Sequence, residues 1–97
     1  MAILLMLAAA AAQVPPDGHA LFNERCGGCH LQGGFGTMAI ARSHSGEPAL
    51  LAERHPAADL VRAVVRNGFR SMPPIRRAEL DDATLGRIAS YLAEGGK

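Results

Sequence analysis

Five consecutive residues, Cys26-Gly27-Gly28-Cys29-His30, place two thiols three positions apart and an imidazole directly after the second. This is the C-x-x-C-H pattern, the attachment sequence for c-type haem. The spacing has a physical reason: the two thiols add to the two vinyl groups on one edge of a porphyrin, and the adjacent His30 is carried under the iron as an axial ligand. Gly27 and Gly28 keep the backbone small where it would pass the macrocycle. Three other chemistries use the same residue types. A disulfide closing so short a loop would be strained and would stabilise little. A thioredoxin-like redox pair needs a strand leading into a helix, and no strand pattern precedes Cys26. A zinc site would have to recruit the distant His44 or His55, because His30 is too close to the cysteines to complete a tetrahedron.

The elements that must position this pentapeptide read as helical. Asp17 can cap a short helix from about Gly18 to Cys26, with Leu21 and Phe22 on its apolar side. Residues 31–46 are rich in glycine and small polar residues with no sustained period, which predicts loop. Residues 48–54 can form a short helix burying Leu50 and Leu51. Pro56 sits where a helix can begin, and Leu60, Val61, Val64 and Val65 recur at helical spacing before Gly68, a natural helix stop. Ser71-Met72-Pro73-Pro74 is predicted to be an extended loop that presents Met72, since the prolines remove donors and push their predecessors to extended geometry. Asp81 fits the N-cap of a last helix, with Leu80 and Leu85 as a hydrophobic staple and a Leu85, Ile88, Ala89, Leu92 stripe ending at Gly95-Gly96. Nothing alternates with period two for long. The expected fold class is all-α, with about four short helices, much loop and no internal repeat.

At 97 residues the chain is one domain at most. Ten Lys and Arg against nine Asp and Glu give a net charge of +1, which excludes a highly charged disordered chain and a dominant polyanion-binding surface, so no nucleic acid partner is expected. Residues 1–12 are all hydrophobic and end in small residues before Gln13-Val14-Pro15-Pro16. They are too short to span a bilayer comfortably and read as a signal peptide cleaved near Ala12, leaving 13–97 as the mature domain, not integral to a membrane. A buried helix is the weaker reading, because the proline pair follows at once and the segment has no polar face. Export places the cysteines in an oxidising compartment, and the expected location is the periplasm. Residues 13–97 hold only 21 bulky apolar side chains, a thin core that a large apolar cofactor would complete.

Gly18-x-x-x-Phe22, Cys26-x-x-Cys29-His30, Met72-Pro73 and the capped last helix with Tyr91 together resemble a class I c-type cytochrome, over essentially all of residues 13–97. The resemblance implies the class I cytochrome c fold around one covalently bound haem c. It further implies an N-terminal helix packed on the C-terminal helix through Gly18, Phe22, Ile88 and Tyr91. The cofactor-binding residues it implies are Cys26, Cys29, His30 and Met72, with His30 and Met72 as the metal ligands and no catalytic residue. More narrowly, Val65-Arg66-Asn67-Gly68-Phe69-x-x-Met72-Pro73 with Arg76 and Glu79 is similar to the small cytochrome subunits of flavin-dependent phenol-oxidising dehydrogenases of the 4-cresol dehydrogenase (p-cresol methylhydroxylase) type. One departure stands out. The family usually carries a Gly-Pro after the haem motif whose carbonyl accepts the proximal imidazole N–H; Gly36-Thr37-Met38 stands here instead, and a carbonyl between Gly34 and Met38 is the expected acceptor.

Candidates for the sixth iron ligand are Met38, Met72, His19, His44 and His55. Met72 is favoured, because a loop bounded by Gly68 and two prolines is stiff and gives its side chain no helix face to fill; Met38 is expected to pack against the haem instead. A soft thioether favours ferrous iron, so His30 with Met72 implies a six-coordinate iron of relatively high potential that no substrate reaches. Arg62, Arg66 and Arg70 fall at i, i+4 and i+8 with Arg76 and Arg77 beyond, while Glu79, Asp81 and Asp82 gather nearby. One or two of these arginines, with Arg42 a further candidate, are expected to pair with haem propionates. The remaining charges would steer a redox partner. The expected function is single-haem electron transfer from a dehydrogenase, a flavoprotein in the narrower reading, to the respiratory chain, as an electron carrier and not an enzyme. The alternatives are a haem-based sensor or catalyst with a displaceable sixth ligand, and a haem-free zinc or disulfide module.

Overall fold

The computed structural model describes residues 17–96, so the expected signal segment 1–12 lies outside the described residues. Six helices occur among them: α1 (Gly18–Arg25), α2 (Gly27–His30), α3 (Phe35–Ser43), α4 (Leu51–Arg54), α5 (Ala58–Asn67) and α6 (Asp82–Ala93). The described residues contain no strand beyond a single antiparallel bridge between Phe69 and Met72, so the all-α expectation holds. No helix among them is long and apolar enough to cross a membrane.

Asp17 caps α1 by accepting from the Ala20 N–H at 2.8 Å, and the Asp81 carboxylate does the same for the Thr84 N–H at 2.7 Å at the start of α6. Each cap satisfies a donor that the first helical turn leaves without a partner. α1 crosses α6 at very short range. A Cβ on Gly18 would fall on the Arg87 carbonyl oxygen and lie 2.6 Å from Tyr91 Cβ. The Tyr91 ring then stacks on His19 at 5.2 Å between centroids and tilts against Phe22 at 5.8 Å. The buried core is small: Leu21, Phe22, Val65, Leu80, Leu85, Ile88 and Leu92. Leu80 and Leu85, the expected staple, are both inside it.

Residues 31–46 depart from the loop reading. After Gly34, in an extended N-cap conformation, the chain forms the nine-residue helix α3. The sequence obscured it because the helix has no apolar stripe aimed at the core. Its buried member is Thr37, while Phe35, Gly36, Ala39, Ile40 and Ser43 face a cavity. The count therefore rises from four helices to six, with α2 a single turn on the C-x-x-C-H motif itself.

The segment after α5 is held by backbone bonds. Gly68 takes φ +77°, turning the chain into a tight reversal in which Phe69 and Met72 exchange N–H···O bonds of 3.0 and 2.9 Å. The Ile75 N–H then donates to the Val65 carbonyl at 2.8 Å, and Arg66 Nη1 donates to the Ile75 carbonyl at 3.1 Å. The segment that follows Met72 is thereby fastened to α5.

Candidate functional site

The C-x-x-C-H residues lie on one helical turn. Cys29 and His30 both donate their N–H to the Cys26 carbonyl, at 3.2 and 3.0 Å, and Leu31 donates to that of Gly27 at 3.1 Å. Residues i and i+3 of such a turn share a face, so the two thiols fall on one side with His30 next to them. The thiols are not joined to each other; Cys26 is partly buried and Cys29 is exposed. Burial, and secondarily the neighbouring Cys29, pushes the Cys26 thiol pKa up, and burial pushes the His30 imidazole down. Both shifts favour the neutral forms. For an imidazole the neutral form is the one that ligates metal.

These residues open onto a cavity of about 450 Å³, within the size range of cofactor sites. Cys26, Cys29, His30 and Met72 all line it, brought together from α2 and from the loop after α5. The rest of the wall is mostly apolar and includes Phe22, Leu51, Val61, Val64, Val65, Ile88 and Leu92. Phe35, Leu60 and Phe69 also line it, yet they are 61%, 57% and 55% exposed and form an aromatic and aliphatic rim. Exposed apolar side chains gathered around one concave surface mark a binding site.

The other candidate ligands sort themselves by position. Of the four additional side chains only His44 reaches the cavity wall, its Nδ1 2.9 Å from Ser43 Oγ. His19 is stacked on Tyr91, and the His55 ring lies against Gly95. Met38 is half exposed and does not line the cavity, which corrects the expectation that it packs there; on α3 it projects away from the face that carries Ala39 and Ile40.

The arginine expectations change as well. Arg66 and Arg77 are both committed to Asp82, at 2.7 and 3.1 Å, and Arg62 to Asp59 at 3.0 Å. Asp82 of the acidic patch thus neutralises part of the basic one. The arginines on the cavity wall are Arg70, whose guanidinium lies 5.4 Å from the Phe69 ring centroid, and Arg54, which sequence reasoning missed. Arg54 is anchored to Glu47 and to the Pro48 carbonyl, both at 3.1 Å. Arg42 does not line the cavity.

No carbonyl between Gly34 and Met38 accepts from His30. Its Nδ1 is buried with no hydrogen-bond partner. The reason is α3: the Gly34 carbonyl accepts the Met38 N–H at 3.0 Å, and the carbonyls that follow enter the ladder of the helix. Close backbone packing takes the place of that bond. A Cβ on Gly36 would lie 2.9 Å from His30 Cε1 and 3.1 Å from Nδ1.

A neutral imidazole with a buried unpaired nitrogen, two unjoined thiols and a thioether around one apolar cavity fit a flat apolar macrocycle carrying iron. They do not fit the competing chemistries. Among the described residues no three His, Cys, Asp or Glu side chains gather as a metal-binding group, and no strand leads into Cys26.

Comparison with known proteins agrees with this geometry. The sequence family described as cytochrome C oxidase, cbb3-type, subunit III matches residues 13–92. The chain belongs to this c-type cytochrome family. Membership makes it an electron-transfer protein of a haem-using family. The cytochrome is 32% identical over 93 residues to the 4-cresol dehydrogenase [hydroxylating] cytochrome c subunit of Pseudomonas putida, covering 92% of this chain and 72% of the relative. Its fold is similar to two crystal structures of p-cresol methylhydroxylase, one with substrate bound, at TM-scores of 0.58 and 0.57 and 30% identity. Each match covers 79% of this chain, and 89% and 90% of the respective structures. The narrower likeness expected from the sequence, to the 4-cresol dehydrogenase cytochrome subunits, is thus met in both sequence and fold.

Proposed function

We propose that this cytochrome is a periplasmic single-haem electron carrier in which Cys26 and Cys29 hold the haem covalently and His30 and Met72 ligate its iron. The observation that carries the reading is one apolar cavity lined by all four residues, drawn from α2 with its N-cap Cys26 and from the loop that α5 and Arg66 fasten down. When bound, haem supplies one-electron redox chemistry at its iron. The chain's own residues do the rest. α2 and its N-cap Cys26 present both thiols on one face, and burial favours the neutral, ligating form of His30. The Phe69–Met72 reversal holds the thioether donor in place, and the apolar wall excludes water.

The donor in this reading is a flavoprotein dehydrogenase that oxidises a phenolic compound, for which this chain is the electron-accepting subunit and not the catalytic one. The likeness to the 4-cresol dehydrogenase cytochrome subunit supports it. Electrons then pass to a respiratory acceptor. Residues 1–12 direct export and are removed near Ala12.

The test is production in a host that exports proteins and attaches haem, followed by mass analysis of the denatured chain and by purification with its neighbouring gene products. The expected chain begins at Gln13 and carries the mass of one haem that Cys26→Ser with Cys29→Ser removes, and a yellow subunit is retained with it. A colourless chain of unmodified mass would overturn the haem assignment. A haem-bearing chain that retains no flavin-containing partner would overturn the donor assignment alone.

A further inference from the structure

We propose that Thr37 is a positioning residue for His30, its hydroxyl strapping the backbone on both sides of the histidine while Gly36 seats the ring, so that the two fix the plane of the imidazole. The inference rests on the reading of His30 as an iron ligand. Thr37 stands out as the polar side chain buried among the described residues. Its Oγ1 lies 2.7 Å from the Leu31 carbonyl oxygen and 3.4 Å from that of Cys29, the two residues that flank His30. A hydroxyl has one proton to donate, so the shorter contact takes it and the Cys29 carbonyl is the second acceptor within reach. One side chain therefore spans the positions before and after the histidine.

Gly36 acts on the ring directly. The missing side chain, where a methyl would come within 2.9 Å of Cε1 and 3.1 Å of Nδ1, lets backbone close against the Nδ1–Cε1 edge. A metal-ligating imidazole is ordinarily oriented by a hydrogen bond from its second nitrogen. Nδ1 of His30 has none, because α3 directs its carbonyls along its own axis, the first of them, Gly34, toward the Met38 N–H. The strap and the seat do that work by packing and by a bond to the neighbouring backbone, and both come from the first turn of α3.

The experiment compares the haem-loaded wild type with Thr37→Val, Thr37→Ser and Gly36→Ala in the oxidised state. The readout is the order and spread of the paramagnetically shifted haem methyl resonances, which follow the orientation of the axial ligands, recorded beside the optical spectrum. Thr37→Val is expected to stay low-spin and to rearrange the methyl pattern, Thr37→Ser to restore the wild-type pattern, and Gly36→Ala to shift it by pressing on the ring. Wild-type patterns in both Thr37→Val and Gly36→Ala would overturn the proposal. If Thr37→Val does not fold, Gly36→Ala decides: a shifted pattern supports the seat, an unchanged one overturns it. A wild type without low-spin haem fails earlier and defeats the His30 assignment itself.

Discussion

Arg66 and Asp82 form a close ion pair, Nη2 to Oδ1 at 2.7 Å, while the second arm of the same guanidinium holds the Ile75 carbonyl at 3.1 Å. One side chain thus joins the end of α5, the segment after Met72 and the start of α6. Asp82 is also bonded by Arg77 Nε at 3.1 Å, so its carboxylate serves two arginines.

That arrangement gives stability a pH dependence of definite sign. Hydrogen bonds from Arg66 and then Arg77 hold the Asp82 pKa below its ordinary 3.8. A depressed carboxylate stabilises the fold above the unfolded-state value and loses that contribution as pH falls through the folded one. Asp82→Asn is therefore expected to lower the melting temperature at neutral pH, with the difference from wild type shrinking below pH 3.8. Thermal melts across the acid range check it; a difference that persists unchanged at the lowest pH would contradict the linkage.

Gly18→Ala is expected to disrupt the α1–α6 crossing, because the added methyl meets the Arg87 carbonyl, which belongs to a helix backbone and cannot rotate away. Overpacking of this kind costs about 1–3 kcal/mol. A denaturant titration should show the loss, and the His19–Tyr91 stack would loosen with it. An unchanged midpoint would mean the helices part freely.

Gly68→Ala tests the reversal that carries Met72. The position has φ +77°, which favours glycine, and a Cβ would lie 2.9 Å from Pro74 Cδ and 3.0 Å from the Met72 carbonyl oxygen. Strain of about 1–3 kcal/mol is expected. It is local to the loop, so the Met72-dependent optical features should weaken more than helix content falls. Equal loss of both would show global unfolding instead.

Ile88→Ala removes a side chain that is 1% exposed and belongs to both the core and the cavity wall. The expected cost is about 2–5 kcal/mol, larger without haem than with it, because the bound macrocycle would cover part of the gap. Parallel melts of the apo and haem-loaded protein measure the difference, and identical losses would argue that Ile88 does not face the cofactor.

The helices that pack on the core were legible because their apolar residues recur on one face: Leu21 with Phe22, Val61 with Val65, and the Leu85 to Leu92 stripe. The capping aspartates Asp17 and Asp81 declared two helix starts. The four residues proposed to hold the cofactor were singled out by spacing and loop chemistry, and all four line one cavity. What stayed hidden depends on partners outside the local sequence. α3 faces a cavity, so its pattern has no core stripe to reveal it. The role of Thr37 depends on two carbonyls six and eight positions back. The commitments of Arg66 and Arg77 depend on Asp82, which charge counting read as a separate patch.

The most direct measurement compares the oxidised and reduced absorption spectra of the haem-loaded cytochrome with those of Met72→Ala, with and without carbon monoxide. The expected native protein is low-spin, inert to carbon monoxide when reduced, and shows the weak far-red band of sulfur-to-ferric charge transfer; the variant loses that band and binds the gas. A high-spin native protein that binds carbon monoxide, or a Met72→Ala spectrum identical to the native one, would contradict the His30 and Met72 carrier and favour a sensor or catalyst with an open iron.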